Sequence, residues 1–401
     1  MYSIQADKTF QKIIKIFYLS GIWQRDEEPN YRKIGKKLFY TSFGALLPIF
    51  FATNSVLCVN RNESIFSVQI AILLWVVYLK FLYLLFKEQE IFDFLNDPTV
   101  VHSIENREQY QQTNKKIKKF IGLVRLYFFT LCLTAALLII VKLPIFSTDK
   151  GLPVFISFTW NDSEIIYWLT YLFLSLSIAL YCVVNFMTPL VWYIMLNYSV
   201  EYQLLGDKLK NLEGKTIKNE AQNENKQEKG TKKMLGQKTY NLIQQSKQFV
   251  ENLIVLVTAH RNLNETIERF RSCFSTLFLA QITTSGIIIC VSVYNLAFAS
   301  MKNIFQVELY VAVLFYEFFD IFLVMYLAND ITLASDRLSY YLFESNWIEQ
   351  TESCKKYVVI MGEVLKQPQQ LVVLIYPMNV ETFMTIINGA YSMFNILKNV
   401  Q

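Results

Sequence analysis

Seven long apolar runs divide this chain, over 38–59, 66–86, 121–146, 166–196, 273–299, 308–329 and 379–398. Each is long enough to cross about 30 Å of hydrocarbon at roughly 1.5 Å of rise per residue. Hydrocarbon offers the backbone no water to bond with, so each run is expected to be a helix that satisfies its own amides and carbonyls. A chain of 401 residues that is 53% hydrophobic and 18% charged is read as one membrane domain, an all-α protein with seven transmembrane helices. The fourth run is overlong and is expected to continue as a helix past the bilayer.

The basic residues set the orientation. The segment to Lys37 carries 8 Lys and Arg, 87–120 carries 6, 197–272 carries 13 and 330–378 carries 4. The alternate connections hold only Arg61, Lys142, Lys150, Lys302 and Lys398. Cytoplasmic loops retain positive charge, and long loops obey the rule poorly. Leaving out 197–272 still sets 18 against 5. A cytoplasmic N-terminus and an extracellular C-terminus follow, the reverse of a G-protein-coupled receptor. The sequons at Asn62 and Asn161 fall outside on this scheme, and those at Asn197 and Asn264 fall inside, as chance occurrence also allows. The net charge of +5 follows from the loops and requires no nucleic-acid partner.

Four regions result. Residues 1–37 form a cytoplasmic amphipathic segment. Phe10, Ile13, Ile14 and Phe17 share a helix face beside Lys8, Lys12 and Lys15, so this helix lies either on the inner membrane surface or on the protein's own cytoplasmic ends. Residues 38–329 form a six-helix membrane bundle. It is interrupted at 211–238 by a stretch rich in Asn, Gln, Glu, Lys and Gly, which is expected to be a mobile cytoplasmic insertion. Helical spacing resumes after Thr239 with Ile243, Phe249 and Leu253 and runs into the fifth span. Residues 330–378 form a cytoplasmic anchor region. Its separate helix at about 350–366 is set off by Pro368 and Pro377, so the last helix is split. That helix either contacts neighbouring subunits or covers its own bundle. Residues 379–401 form the last membrane helix, with the C-terminal end of the chain.

Enzyme chemistry has little to stand on. The chain has no Gly-rich phosphate loop, His-Glu-x-x-His, Gly-x-Ser-x-Gly or Cys-x-x-Cys element. Cys58, Cys132, Cys182, Cys273, Cys290 and Cys354 show no paired spacing, and His102 and His260 have no nearby ligand partner. No disulfide framework, metal site or cofactor is expected. Inside the spans stand Lys80, Arg125, Glu317 and Asp320, all at middle-to-inner depth. Charges there are costly and demand partners. A buried ion-pair cluster, Lys80 with Glu317 or Asp320, is expected; a proton or ion relay is the alternative.

The last span carries a polar stripe of Asn388, Ser392, Asn395 and Asn399. Such a stripe faces either another helix or the wall of a pore shared between subunits. Ile396 and Val400 form an aliphatic pair near its outer end that could close a pore by dewetting. Stripe and pair lie about 70–110° apart round the helix, leaving open which faces water. The outer halves of the second, third, fourth and sixth spans carry Trp75, Thr134, Leu137, Trp168, Tyr171, Ser175, Tyr310 and Leu314. An apolar cavity with a few polar groups suits a small volatile ligand; ordinary packing and interfacial anchoring are the alternatives.

From Glu381 to Phe394 the chain reads Glu-Thr-Phe-Met-Thr-Ile-Ile-Asn-Gly-Ala-Tyr-Ser-Met-Phe. This resembles the Phe…Ala-Tyr-Ser-x-Phe ending of insect odorant receptors. Ser345-Asn-Trp347, Lys355 to Met361 and Gln367-Pro368 are similar to the region before it, whereas the Thr-Tyr…Gln-Phe ending of gustatory receptors is absent. The resemblance implies an odorant-gated, nonselective cation channel in the plasma membrane of a sensory neuron. It implies a tetramer shared with an odorant co-receptor, with this chain as the ligand-tuning subunit because the co-receptor's large insertion is missing. The odorant would sit among the eight outer-half residues above, the cytoplasmic helix ends would anchor the subunits, and Ile396 and Val400 would form the gate. A metabotropic seven-helix chemoreceptor and a gustatory-receptor-like homomeric channel are the competing readings. A transporter would show repeat symmetry and broken midplane helices, and the sequence shows neither.

Overall fold

A computed structural model describes residues 2–3, 8–24, 29–58, 61–96, 103–104, 107–140, 152, 163–212, 231–298 and 304–399. In chain order the helices are α1 (Lys8–Leu19), α2 (Asn30–Leu57), α3 (Arg61–Phe86), α4 (Glu88–Asn96), α5 (Arg107–Ile140) and α6 (Glu164–Val184). They continue as α7 (Met187–Lys210), α8 (Thr231–Phe298), α9 (Ile304–Asp336), α10 (Leu338–Glu344), α11 (Glu352–Leu365) and α12 (Val380–Asn399). Two short antiparallel ladders join them: β1 (Tyr2–Ser3) with β2 (Ser103–Ile104), and β3 (Val372–Val373) with β4 (Tyr376–Pro377).

Among the described residues six helical segments are long and apolar enough to cross a membrane: α2, α3, α5, α6 with α7, α8 and α9. The seventh, α12, has 20 residues and so rises about 30 Å, but it is more polar than the others. At 68 residues, α8 is some 100 Å long. It therefore extends far beyond the hydrocarbon, and its first half stands beside α7 and α11.

Proline sets two features of the bundle. Pro48 lies inside α2 and cannot donate to the carbonyl one turn back, at Gly44. Tyr181 of α6 fills that role from outside the helix, donating its hydroxyl to the Gly44 oxygen at 2.8 Å. A Cβ at Gly44 would come within 2.8 Å of the Phe81 ring, so glycine there lets α2 and α3 pack closely. Pro189 affects the fourth run, which is two helices rather than the single extended one expected from its length. Its ring opposes the carbonyl of Asn185, and the chain turns at Asn185–Phe186 before α7 resumes. The Asn185 amide bonds to the Tyr181 oxygen through both its backbone N–H and its side-chain Nδ2, each at 3.0 Å.

Helix α1 packs on the protein itself. Phe10, Ile13 and Phe17 are buried in the main core, and Phe10 stacks on Tyr193 of α7 with ring centroids 4.0 Å apart. Trp23 follows, donating its indole N–H to the Leu84 carbonyl at 3.0 Å. Of the two placements open to this amphipathic helix, its apolar face takes the intramolecular one.

The segment before α12 is tied down by polar contacts. Ser246 of α8 donates to Gln350 at 3.0 Å and accepts from the Thr351 amide at 3.1 Å, which seats the start of α11. Asn379 accepts from the Thr382 amide at 2.8 Å, an N-cap that starts α12. Of the expected insertion 211–238, residues 213–230 lie outside the described residues, and α8 already begins at Thr231.

Candidate functional site

The last helix shows two distinct faces. Phe383, Ile387, Ala390 and Phe394 recur every three to four residues and so lie on one stripe. Phe383 is buried between Phe318 and Phe322 of α9, with ring centroids 5.3 Å from each. Ala390 is buried against Ile289 and Cys290 of α8, with Phe394 and Leu314 beside them. On the opposite face Asn388, Ser392 and Ile396 are exposed, and Asn395 is half-buried at its flank. Ser392 donates to the Asn388 carbonyl at 2.9 Å. Ser392 and Ile396 are four residues apart, hence about 40° round the helix. Polar stripe and aliphatic residue therefore share the face turned away from the bundle. Val400 lies outside the described residues. Lys398 lies about 120° from Ser392.

The eight ligand candidates do not gather in one place. Three lie on α6, where Tyr171 bridges the seam with α5, and Thr134 lies on the side of α5 that meets α9. Tyr171 is buried and donates its hydroxyl to the Ile139 carbonyl. Trp168 is half-exposed with its ring against Tyr171, centroids 6.0 Å apart. Ser175 has a buried hydroxyl oxygen with no hydrogen-bond partner among the described residues. Thr134 bonds to the Thr130 carbonyl at 2.8 Å and lies 3.2 Å from the Tyr316 hydroxyl of α9. Leu137 is exposed on α5, and Trp75 is exposed on α3 beside Tyr78. Tyr310 is buried edge-on against Phe66 of α3. Leu314 faces α8 and α12 rather than this seam. Tyr316 is the residue sequence spacing did not single out; a second hydroxyl-bearing aromatic two residues past Leu314 was its only signal.

The intramembrane charges also separate. Lys80 Nζ lies 2.7 Å from Asp320 Oδ2 and 2.9 Å from the Thr188 hydroxyl, and all three residues are buried. Glu317 instead accepts from Ser285 of α8 at 3.2 Å. Arg125 is not part of this group; its guanidinium lies 3.4 Å from Thr9 Oγ1 of α1. At the end of the bundle where α11 lies, a cleft of about 1050 Å³ opens between α8 and the α11 region, lined in part by Val257, His260, Glu268, Met361, Val364 and Pro368. Among the described residues no three His, Cys, Asp or Glu side chains converge as a metal site.

Residues 60–391 match the sequence profile of the family described as 7tm Odorant receptor. The chain belongs to that odorant receptor family. Its curated relatives include Odorant receptor 94a of Drosophila melanogaster, 25% identical over 61% of this receptor and 57% of the relative. Odorant receptor 10 of Aedes albopictus is 24% identical over 37% and 39% of the two chains. The receptor thus spans little more than half, or less, of the lengths of these relatives. The insect olfactory receptor OR5 from Machilis hrabei superposes with a TM-score of 0.72 over 98% of both chains at 12% identity. Its complex with eugenol gives the same TM-score at 14% identity. At these identities the likeness speaks for the fold, and this receptor has the seven-helix olfactory-receptor architecture. A receptor family, not an enzyme family, is in keeping with the motifs the sequence lacks.

Proposed function

We propose that this receptor is the ligand-tuning subunit of an odorant-gated, nonselective cation channel. It assembles with an odorant co-receptor, as a tetramer, in the plasma membrane of a sensory neuron. The supporting observation is the outward face of α12. A stripe of Asn388 and Ser392 turned toward lipid would be expensive. Neighbouring subunits around an aqueous path relieve that cost, with Ile396 and Val400 narrowing the path near its outer end. The N-terminus is cytoplasmic and the C-terminus extracellular, as the loop charges require. The α8–α11 region anchors the subunits from the cytoplasmic side.

The odorant binds in the outer half of the bundle beside the α5–α6 seam. Trp168, Tyr171 and Leu137 supply apolar surface there, and Ser175 and the Thr134–Tyr316 pair supply polar contacts. Binding shifts a closed–open equilibrium only as far as the ligand prefers the open bundle. Helix α9 carries the shift to the pore, because Tyr316 meets Thr134 of α5 while Phe318 and Phe322 grip Phe383. The fold shared with a receptor solved in complex with eugenol supports a small, mostly apolar ligand.

The test is expression in a cell line with and without the co-receptor while recording currents evoked by a panel of volatiles. Currents that need both subunits, and whose ligand ranking changes in Trp168→Ala with ion permeability unchanged, are expected. Ligand-evoked signals from this chain alone through a second messenger would overturn the reading, as would antibody access to a tag at Tyr2 on intact cells.

A further inference from the structure

The exposed face of α5 changes character along its length. Lys115, Lys118, Gly122, Arg125, Phe129 and Leu133 are all exposed and fall within about 80° of arc on the helix. The buried residues Ile117, Ile121, Val124 and Tyr127 lie on the other side. Of the six apolar spans α5 is the least covered by protein, with 11% of its apolar window buried. Gly122 sits between Lys118 and Arg125, and nothing lies within 4 Å of the place its Cβ would take. The result is a recess with a cation about 5–6 Å along the helix on either side. Among the described residues Lys115, Lys118 and Lys119 have no ion-pair or hydrogen-bond partner, whereas Lys116, on the flank, is paired with Asp330 at 2.9 Å. Thr9 Oγ1 of α1 lies 3.4 Å from both Nε and Nη2 of Arg125, which steadies the guanidinium on this face. The sequence of α5 carries a single acid, Glu108, two turns before Lys115, and that of α1 carries none.

We propose that this face of α5 binds one anionic phospholipid, with its phosphate in the Gly122 recess between Lys118 and Arg125 and its acyl chains along Phe129 and Leu133. Depth, charge and continuity select that ligand. Gly122 is the second residue of the apolar run 121–146, so the recess sits where headgroups meet hydrocarbon. Arg125 lies one turn deeper, where a guanidinium is costly beside lipid tails unless its tip reaches a phosphate. Past Arg125 the face turns apolar, and Leu126 and Phe129 are 63% and 64% exposed. A free phosphate ion would leave that apolar surface unused. A second copy of α5 would bring the same cations to the face and be repelled. A zwitterionic lipid brings a cation of its own, so net charge favours the anionic headgroup. On the orientation proposed above the leaflet is the cytoplasmic one, which is rich in anionic lipid; the chemistry of the recess does not depend on that orientation.

The lipid stands next to the contact between α1 and α5. Thr9 meets Arg125, and the adjacent Phe10 stacks on Tyr193 of α7. A phosphate held by Arg125 therefore steadies the N-terminal helix as well as the sparsely packed α5.

Native mass spectrometry of the full-length receptor in detergent tests the proposal, with added phosphatidylserine or phosphatidylcholine of the same acyl composition. Preferential retention of phosphatidylserine is expected, and the preference should fall roughly fivefold for each cation removed in Lys118→Gln and Arg125→Gln. Gly122→Leu is the sharper variant. It keeps every charge, favours the helix because glycine is a poor helix former, and fills the recess, so it should abolish the preference. Lys247→Gln, at an exposed lysine of α8, should leave the preference unchanged. Equal retention of the two lipids by the native receptor would overturn the proposal. So would a preference that survives Gly122→Leu or falls as far in Lys247→Gln, since either describes a diffuse basic surface. Displacement of phosphatidylserine by millimolar inorganic phosphate would also overturn it, in favour of a site for the free ion. The assay reads neither odorant response nor sidedness, so its failure is distinct from failure of the channel reading, which the current recordings and the tag at Tyr2 address.

Discussion

Tyr181 of α6 donates its hydroxyl to the carbonyl of Gly44 in α2, 2.8 Å away and buried. That oxygen lacks an intrahelical donor because the residue one turn ahead is Pro48. A backbone defect in one membrane helix is thus closed by a side chain 137 positions further on. Tyr181→Phe should therefore lower stability by about 1–2 kcal/mol, the scale of one buried hydrogen bond within a membrane. Thermal unfolding of the purified receptor in detergent measures it. The loss should shrink in a Pro48→Ala background, where the restored N–H satisfies Gly44 from within α2. An equal loss in both backgrounds would contradict the compensation.

Breaking the Lys80–Asp320 pair from one side leaves an uncompensated charge in the bundle. Lys80→Met and Asp320→Leu should each cost roughly 3–5 kcal/mol and sharply reduce surface expression. Replacing both at once should cost much less, because an apolar pair leaves no orphan charge. Surface labelling of the two single variants and the double variant checks this. Additive losses would show that the two side chains do not act as a pair.

His260 lies in the first half of α8, buried, with its Nε2 unpartnered among the described residues. Burial pushes its imidazole down to about 4, against about 6.5 for an unperturbed histidine. Between those values the unfolded chain binds a proton that the folded chain refuses. The stability that neutral His260 permits is complete above about pH 6.5 and is lost as the pH falls toward 4, on the order of 3 kcal/mol at the acid end. The difference in melting temperature between the native receptor and His260→Gln should narrow or reverse as pH falls from 7 to 4.5. A constant difference would place a charged histidine in the folded protein.

Cys132 of α5 and Cys182 of α6 stand within sulfur hydrogen-bond reach of each other. Four residues from each, Phe128 of α5 and Phe186, in the turn after α6, meet edge-on with centroids 4.7 Å apart, which gives the same antiparallel register. Copper-phenanthroline oxidation should therefore link these two cysteines of one chain and no other pair. Proteolysis and mass spectrometry would identify the joined peptides. A crosslink from Cys132 to any other cysteine would give α5 a different rotation.

Membrane helices were legible in the sequence because hydrocarbon enforces one rule everywhere: a run of about twenty apolar residues becomes a helix. The breaks were harder to read. Pro189 was visible in the fourth run, yet length alone argued for one helix, and the turn at Asn185–Phe186 appears only when backbone geometry is followed through the proline. Which neighbour each candidate residue meets was not legible in the sequence. Leu314 and Tyr316 are two residues apart on α9, hence about 160° apart round the helix, and only Tyr316 faces α5. Leu314 was chosen because an apolar residue at that depth looks the same to sequence whichever neighbour it touches.

By itself the sequence determined the number of membrane helices, the amphipathic face of α1 and the two unlike stripes of α12. These depend on transfer of side chains between water, headgroups and hydrocarbon, which each residue carries independently of its neighbours. Tertiary structure alone decided that Lys80 pairs with Asp320 and not Glu317, that Tyr181 serves Gly44, that α1 turns inward onto Tyr193, and that Ser392 and Ile396 share the outward face. Those are choices between partners far apart in the chain. Their energies depend on distances of a few ångströms that only the packed helices set.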